Sequence, residues 1–242
     1  MWDNIHFVLV NPTHPGNIGA AARAMKNMGL RHLALVKPKL YPSAEATARA
    51  SGADDILAAA RVHDCLEQAL ESCDLVIGAS ARPRSIAWPS LGARECADMI
   101  SGEGARRRVA ILFGREHAGL TNAELDRCHY LLHIPCSAQY PSLNLAAAVQ
   151  IVAYELLMAA GSAPVVADTG ENAANSAEME RFYRHLEQVL VDVAFLDPGH
   201  PKKLMRRLRR VFNRARPDRQ ELNILRGILS AVQQARASLS KP

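Results

Sequence analysis

Apolar and polar positions along this chain switch repeatedly between a strand period and a helix period. Ile5–Val10 is a short apolar run rich in β-branched residues, the pattern of a buried strand. It ends in Asn11-Pro12, and Pro15-Gly16-Asn17 follows, which is turn chemistry. Ile18, Ala21, Ala22, Met25 and Met28 then recur at helical spacing, and Gly29 predicts the end of that helix. Further strands are predicted at Leu33–Val36, Leu75–Ser80, Val109–Gly114 and Leu131–Ile134. Helical stretches fall near 43–60, 64–71 and 90–100, and the last strand leads through a polar loop into a helix over 143–160. Strands alternating with helices predict an α/β fold with a parallel sheet.

Beyond that helix the periodicity lapses. Residues 161–176 are Gly, Pro, Ser, Asn and Ala-rich and read as a linker. Met179, Phe182, Tyr183, Leu186, Val189, Leu190 and Val193 then form an apolar helical stripe, broken by Pro198 and Pro201. A basic helix follows, with Leu204, Leu208, Val211 and Phe212 as its expected inner face. After Pro217 a final helix carries Leu222, Leu225, Leu229 and Val232 on one side. The expected organisation is an α/β domain over 1–160, a linker over 161–176 and a small all-α domain over 177–242.

Composition narrows the function classes. A chain of 242 residues with 49% apolar residues can bury a core without staples. Aromatics make up only 5%, which argues against base-stacking platforms as the main mode of RNA recognition. The most apolar window, Leu143–Ala160, contains Asn144, Gln150 and Glu155 and reads as a buried helix, with no membrane partner expected. The first ten residues carry Asp3 and no Lys or Arg, unlike a signal peptide. Cys65, Cys73, Cys96, Cys128 and Cys136 are scattered, which suits a reducing cytoplasm and offers no zinc spacing. The net charge of +5 is unevenly placed: residues 198–242 hold twelve Lys/Arg against Asp218 and Glu221. Such asymmetry points to an appendage that meets a polyanion.

Three separated segments carry the candidate chemistry. They read N-P-T-H-P-G-N-I-G-A-A-A-R over Asn11–Arg23, I-L-F-G-R-E-H-A-G-L over Ile111–Leu120, and I-P-C-S-A-Q-Y-P-S-L-N-L-A-A-A-V over Ile134–Val149. Each places Gly, Asn, Ser, Arg or Glu where an apolar run ends. In an open parallel sheet, ligands bind beyond the carboxyl ends of the strands, and small residues let the backbone approach closely. The order and content of the segments resemble the three motifs of the SPOUT methyltransferases, in their TrmH/TrmJ branch, over residues 1–160.

The resemblance implies a trefoil-knotted α/β domain that grips S-adenosylmethionine and methylates RNA ribose 2′-hydroxyls without a metal. It implies cofactor contacts from Ala79, Ser80, Ala81, Gly114, Arg115, Ile134, Pro141, Ser142 and Leu143. It assigns catalytic roles to Asn17, Arg23, Glu116, Ser142 and Asn144. Arg23 lies six residues after Asn17 and is expected nearly on the same helix face. Arginine stays protonated, so a grip on the adjacent phosphate with stabilisation of the developing alkoxide suits it better than a base role. Ser142 also fits as the plain N-cap of the helix that follows. The branch further implies a tRNA substrate, nucleotide 32 of the anticodon loop (C or U) as target, and a homodimer. The Ala-rich helices Gly19–Ala24 and Ala146–Ala160 offer its flat faces, and Arg23 would serve the other subunit's cofactor.

Other readings remain open from sequence. Gly114 to Thr121 has the glycine spacing of a phosphate loop, but Leu120 stands where the Lys must be. No H-E-x-x-H or Cys/His cluster builds a metal site, and His117 reads as incidental, while His14 lies in the first loop with RNA contact as its lesser reading. Arg206, Arg207, Arg209 and Arg210 on the basic helix suit phosphate contact, with a solvated face or an anionic membrane surface as rivals. Ribosomal RNA as substrate and an inactive RNA-binding module of the same fold are the alternative functions.

Overall fold

The computed structural model describes residues 2–81, 88–102, 107–161 and 174–239. Among these residues seven strands form one sheet: β1 (Ile5–Val10), β2 (His32–Val36), β3 (Arg61–His63), β4 (Leu75–Ala79), β5 (Ser90–Gly92), β6 (Val109–Phe113) and β7 (Tyr130–His133). Their order is β3-β2-β1-β6-β4-β7-β5, and every pairing is parallel. A parallel sheet needs cover on both faces. Ile5, Phe7, Leu9, Ile77 and Ile111 join one core with helices α1 (Pro15–Asn27), α5 (Ala93–Gly102) and α7 (Leu145–Ala160). Val8, Val10, Val76, Ala110 and Leu112 join the other with Leu66 and Leu70 of α4 (Leu66–Leu70) and Leu125 of α6 (Asn122–Leu125).

The predicted helix near 43–60 is two, α2 (Ala44–Ala50) and α3 (Asp54–Ala58), because Ser51 and Gly52 adopt left-handed backbone between them. The stretch near 90–100 begins as strand β5 and turns helical only at Ala93. Strand β3, with Arg61 and Val62 exposed at the sheet edge, carries no buried pattern to betray it. Gly19 of α1 packs on α2 so closely that a Cβ would sit 2.0 Å from the Ala46 carbonyl oxygen. That small-residue face is therefore occupied within the chain.

The C-terminal part consists of α8 (Ser176–Asp192), α9 (Leu204–Ala215) and α10 (Arg219–Leu239). Met179, Phe182, Tyr183, Leu186 and Leu222 make a separate small core with Leu208, Phe212, Leu225 and Leu229 against it. Val193 and Val232, expected in the stripes, are exposed. Most of the expected linker lies outside the described residues. Among the described residues no helix is long and apolar enough to cross a membrane.

Candidate active site

The sheet order reverses direction next to β1: β2 and β3 lie on one side of it, and β6, β4, β7 and β5 on the other. Crevices at such switch points are where open α/β sheets hold ligands. The loop after β1 and the loop after β6 meet there, and a glutamate joins them.

Helix α1 opens without a side-chain cap of its own, His14 standing at the N-cap position and Pro15 following. The amides that lead into it are satisfied from the β6 loop. Glu116 accepts from the Thr13 N–H at 3.1 Å, the Thr13 hydroxyl at 2.7 Å and the His14 N–H at 3.1 Å. It also accepts from Asn17 Nδ2 at 2.9 Å. A carboxylate at a helix N-terminus is favoured by both the open N–H groups and the dipole. Burial alone would raise the Glu116 carboxyl, but the hydrogen bonds from Asn17, Thr13 and His14 outweigh it and hold it at about 2. Glu116 is thus a fixed anion, not a proton acceptor near neutral pH.

The relay continues. Asn17 Oδ1 accepts from Asn144 Nδ2 at 2.9 Å, and Asn144 Oδ1 accepts from the amides of Ala146 at 2.9 Å and Ala147 at 3.4 Å. Asn144, not Ser142, is therefore the N-cap of α7, whose first helical residue is Leu145. Ser142 is exposed in the preceding loop and is left available for a ligand.

A cavity of about 230 Å³ opens at the carboxyl ends of β4, β6 and β7. Ala79, Ser80, Ala81, Gly114, Arg115, Ile134, Pro141, Ser142 and Leu143 all line it, together with Glu116. Phe113, His117, Ala118, Gly119, Leu132, Cys136, Leu145 and Ala148 complete the lining; His117, read from sequence as incidental, is among them, Gly119 was noted only for its loop spacing, and none of the eight was assigned to the cofactor. Leu132, Leu145 and Ala148 follow from strand and helix register once the pocket is known, but nothing in their own pattern marks them. Gly114 is required here: a Cβ would lie 2.2 Å from the Gly119 carbonyl carbon and 2.3 Å from the Leu120 nitrogen. Gly119 takes φ +67° and donates to the Arg115 carbonyl at 2.8 Å, closing the loop. Leu120, where a phosphate loop would carry its Lys, is buried in the core.

Arg115 acts as a brace. Its guanidinium meets Glu124 with two bonds of 3.0 Å and Asn11 Oδ1 at 2.6 Å. It therefore offers the cavity no free cation. Asn17 and Asn144 stand beside the lining without belonging to it, and Arg23, exposed on α1, does not line it either. The expectation that Arg23 shares Asn17's face fails on helix geometry, since six residues leave the side chains about 120° apart. His14 is exposed, its ring edge-on to His117 at 6.4 Å.

The basic helix also differs from its expected arrangement. Val211 is exposed, while Arg206, Arg209 and Asn213 turn inward with Leu208 and Phe212. Arg206 Nε donates to Asp126 at 2.8 and 3.0 Å, and Arg209 donates to Glu180 at 2.9 Å and stacks over Tyr183. Both are thereby committed to carboxylates, while Arg207 is exposed and Arg210 is partly buried.

Among the described residues no group of three or more His, Cys, Asp or Glu stands close enough to hold a metal. The described cysteines are all free thiols, three of them buried.

Fold and site together define an α/β protein with a ligand-sized cavity in the backbone loops at the carboxyl ends of β4, β6 and β7, next to the sheet's switch point. Residues 4–154 match the model of the SpoU rRNA methylase family, and residues 177–241 match that of the TrmJ C-terminal domain. Over 99% of this chain and 98% of the relative, it is 51% identical to the tRNA (cytidine/uridine/adenosine-2′-O-)-methyltransferase TrmJ of Pseudomonas aeruginosa. The crystal structure of TrmJ from Z. mobilis superposes with a TM-score of 0.83 at 33% identity, covering 94% of this chain and 98% of that one. A structure described as giving insight into 2-OH methylation of C/U34 on tRNA matches at TM-score 0.50 and 29% identity, over 63% of this chain and 93% of that one. The chain belongs to the SpoU methylase family, in its TrmJ branch.

Proposed function

We propose that this chain transfers a methyl group from S-adenosylmethionine to the 2′-hydroxyl of a tRNA ribose. The observation that carries the reading is a cavity lined by the second and third motif segments, to which the first is tied by the Glu116–Asn17–Asn144 relay at its edge. The cavity suits the cofactor: its walls are largely apolar, Gly114 leaves backbone bare, and Ser142 offers a hydroxyl. When bound, S-adenosylmethionine supplies an electrophilic methyl on a sulfonium. The chain's own part is positioning, which for an in-line displacement supplies much of the acceleration. Ala79 to Ala81, Gly114, Arg115, Ile134 and Pro141 to Leu143 would hold the cofactor. Asn17 and Asn144, locked by Glu116, would fix the ribose side of the site. Arg23 would grip the neighbouring phosphate and stabilise the alkoxide as the hydroxyl proton passes to water.

The finer reading includes the trefoil knot, supported by the three loops converging on one cavity in a SpoU family chain. It includes a homodimer in which Arg23 completes the partner's site. Exposed Tyr154, Leu157 and Met158 on α7 support such a face. The domain division at 160 and 177, the cytoplasm as location and nucleotide 32 as target complete it. The P. aeruginosa relative's name supports tRNA over ribosomal RNA, and so does the match over 177–241. Arg207 and Arg210 are the proposed phosphate contacts.

Labelled-methyl transfer to tRNA lacking this modification, followed by nucleoside mapping, tests the reading. A ribose-methylated nucleotide 32 is expected. Methylation of ribosomal RNA fragments alone would transfer the reading to that substrate. Cofactor binding with no transfer to either RNA would leave a binding module.

A further inference from the structure

Helix α9 has two polar faces with different fates. Lys203, Arg207, Arg210 and Arg214 recur at i, i+4, i+7 and i+11, so they line one side of the helix. Arg206, Arg209 and Asn213 line another, and this side is fastened to the α/β domain at one turn, Asp126–Cys128. Arg206 clasps Asp126 with both side chains mostly buried, at 22% and 15% exposure. Asn213, itself buried, donates to the Asp126 and Cys128 carbonyls at 3.4 and 3.2 Å. The Tyr183 hydroxyl fixes that amide by donating to Asn213 Oδ1 at 2.6 Å. Trp88 Nε1 donates to the same Cys128 carbonyl at 3.1 Å, and the Arg206 guanidinium lies 5.8 Å from the Trp88 ring centre. A second clasp, Arg127–Glu180–Arg209, ties α8 to the same turn.

The turn that receives these groups is part of the cavity's frame. It lies between Gly119 and Leu132, both of which line the cavity. It is braced through Glu124, which pairs with Arg115 of the cavity loop and accepts the Cys128 thiol at its carbonyl. Charge-assisted, two-contact pairs of this kind fix orientation as well as distance.

Resting on the tRNA reading above, we propose that Asp126, Arg206 and Asn213 are positioning residues that seat α9 at a fixed place relative to the cavity. The outer cations then act as a ruler, placing tRNA phosphates so that one ribose reaches the methyl donor. Arg206 takes part without touching RNA.

The test uses the full chain and three variants, Arg206→Glu, Asp126→Arg and the two combined, with Asp126→Asn as a milder break. Thermal unfolding and cofactor titration accompany steady-state methylation of tRNA. Each single variant is expected to raise the tRNA KM at least tenfold and leave the cofactor Kd within twofold. The combined variant restores the pair with its charges exchanged and is expected to recover most of the tRNA KM. Asp126→Asn is expected to move the KM in the same direction by less, and it answers if the reversals do not fold. Unchanged tRNA KM in the single variants or, where those do not fold, in Asp126→Asn overturns the proposal. So does a folded combined variant no better than Arg206→Glu, because Arg206 would then be contacting RNA itself. Failure of the wild-type chain to methylate tRNA at all would strike the functional reading instead. Hydrogen exchange over 176–239, faster in the single variants and slow again in the combined one, then still tests the joint.

Discussion

Asn17 and Asn144 lie 127 positions apart in the chain and share one hydrogen bond of 2.9 Å, donated by the Asn144 amide. The direction of that bond is forced. Glu116 can only accept, so Asn17 Nδ2 faces it and Asn17 Oδ1 is left to accept from Asn144. Asn144 Oδ1 is then free to cap α7. Replacing Asn144 by Ala should cost about 1 kcal/mol for the cap alone. Because the two amides orient each other, Asn17→Ala and Asn144→Ala should be non-additive, with a coupling of about 1 kcal/mol. Chemical unfolding of both single variants and the double variant measures it. Strict additivity would mean that the bond does not organise the site.

Glu116 makes a statement about pH. Its carboxyl lies near 2 instead of the ordinary 4.5, so the folded chain binds this proton less readily than the unfolded chain. The resulting stabilisation is complete above the unfolded value and is lost as pH falls from about 4.5 toward 2. Glu116→Gln should therefore be less stable than the parent at pH 7, with the gap narrowing at pH 3. Denaturation midpoints at the two pH values decide it. A gap that stays constant would remove Glu116's charge from the account.

How much of this was legible in the sequence depends on the range over which each feature is encoded. Strands such as Ile5–Val10 and Val109–Phe113 declare themselves because both faces are buried and the runs are apolar apart from His6. Strand β3 does not, because an edge strand of three residues carries no such run. The cavity residues could be listed because three motifs were recognised together, while Leu132, Leu145 and Ala148 needed the fold. Thr13 escaped notice because its role exists only opposite Glu116, 103 positions later. Arg206 and Arg209 read as surface cations because their partners, Asp126 and Glu180, are 80 and 29 residues away and carry no periodic signature.

Two glycine replacements separate a steric requirement from a conformational cost. At Gly114 a methyl group would strike the backbone of Gly119 and Leu120, so the loop must move. Gly114→Ala should weaken cofactor binding at least tenfold, about 1.4 kcal/mol, which calorimetry would read directly. Gly227 sits in α10 with nothing within 4 Å of its added Cβ. Gly227→Ala should instead stabilise the chain by about 0.5–1 kcal/mol through helix propensity and reduced unfolded-state entropy. Cofactor binding unaltered by Gly114→Ala would show that the loop yields easily and does not shape the pocket.

The two faces of α9 should be distinguishable by salt. A side chain that contacts phosphate releases counterions, so its loss flattens the dependence of log affinity on log salt by about one unit per contact. Arg207, on the outer face, and Arg210 are the expected contacts. Arg207→Ala and Arg210→Ala should each weaken tRNA binding, reduce the salt slope by about 1 and leave thermal stability within about 0.5 kcal/mol. Arg209 is mostly buried against Glu180 and Tyr183, and its removal leaves that carboxylate short of a partner. Arg209→Ala should destabilise the fold by about 1–3 kcal/mol and leave the salt slope close to that of the parent. Filter-binding titrations between low and moderate salt, paired with melting curves, give both quantities for each variant. A reduced slope in Arg209→Ala with unaltered stability would mean that this side chain reaches RNA after all, and that the inward face of α9 opens when tRNA binds.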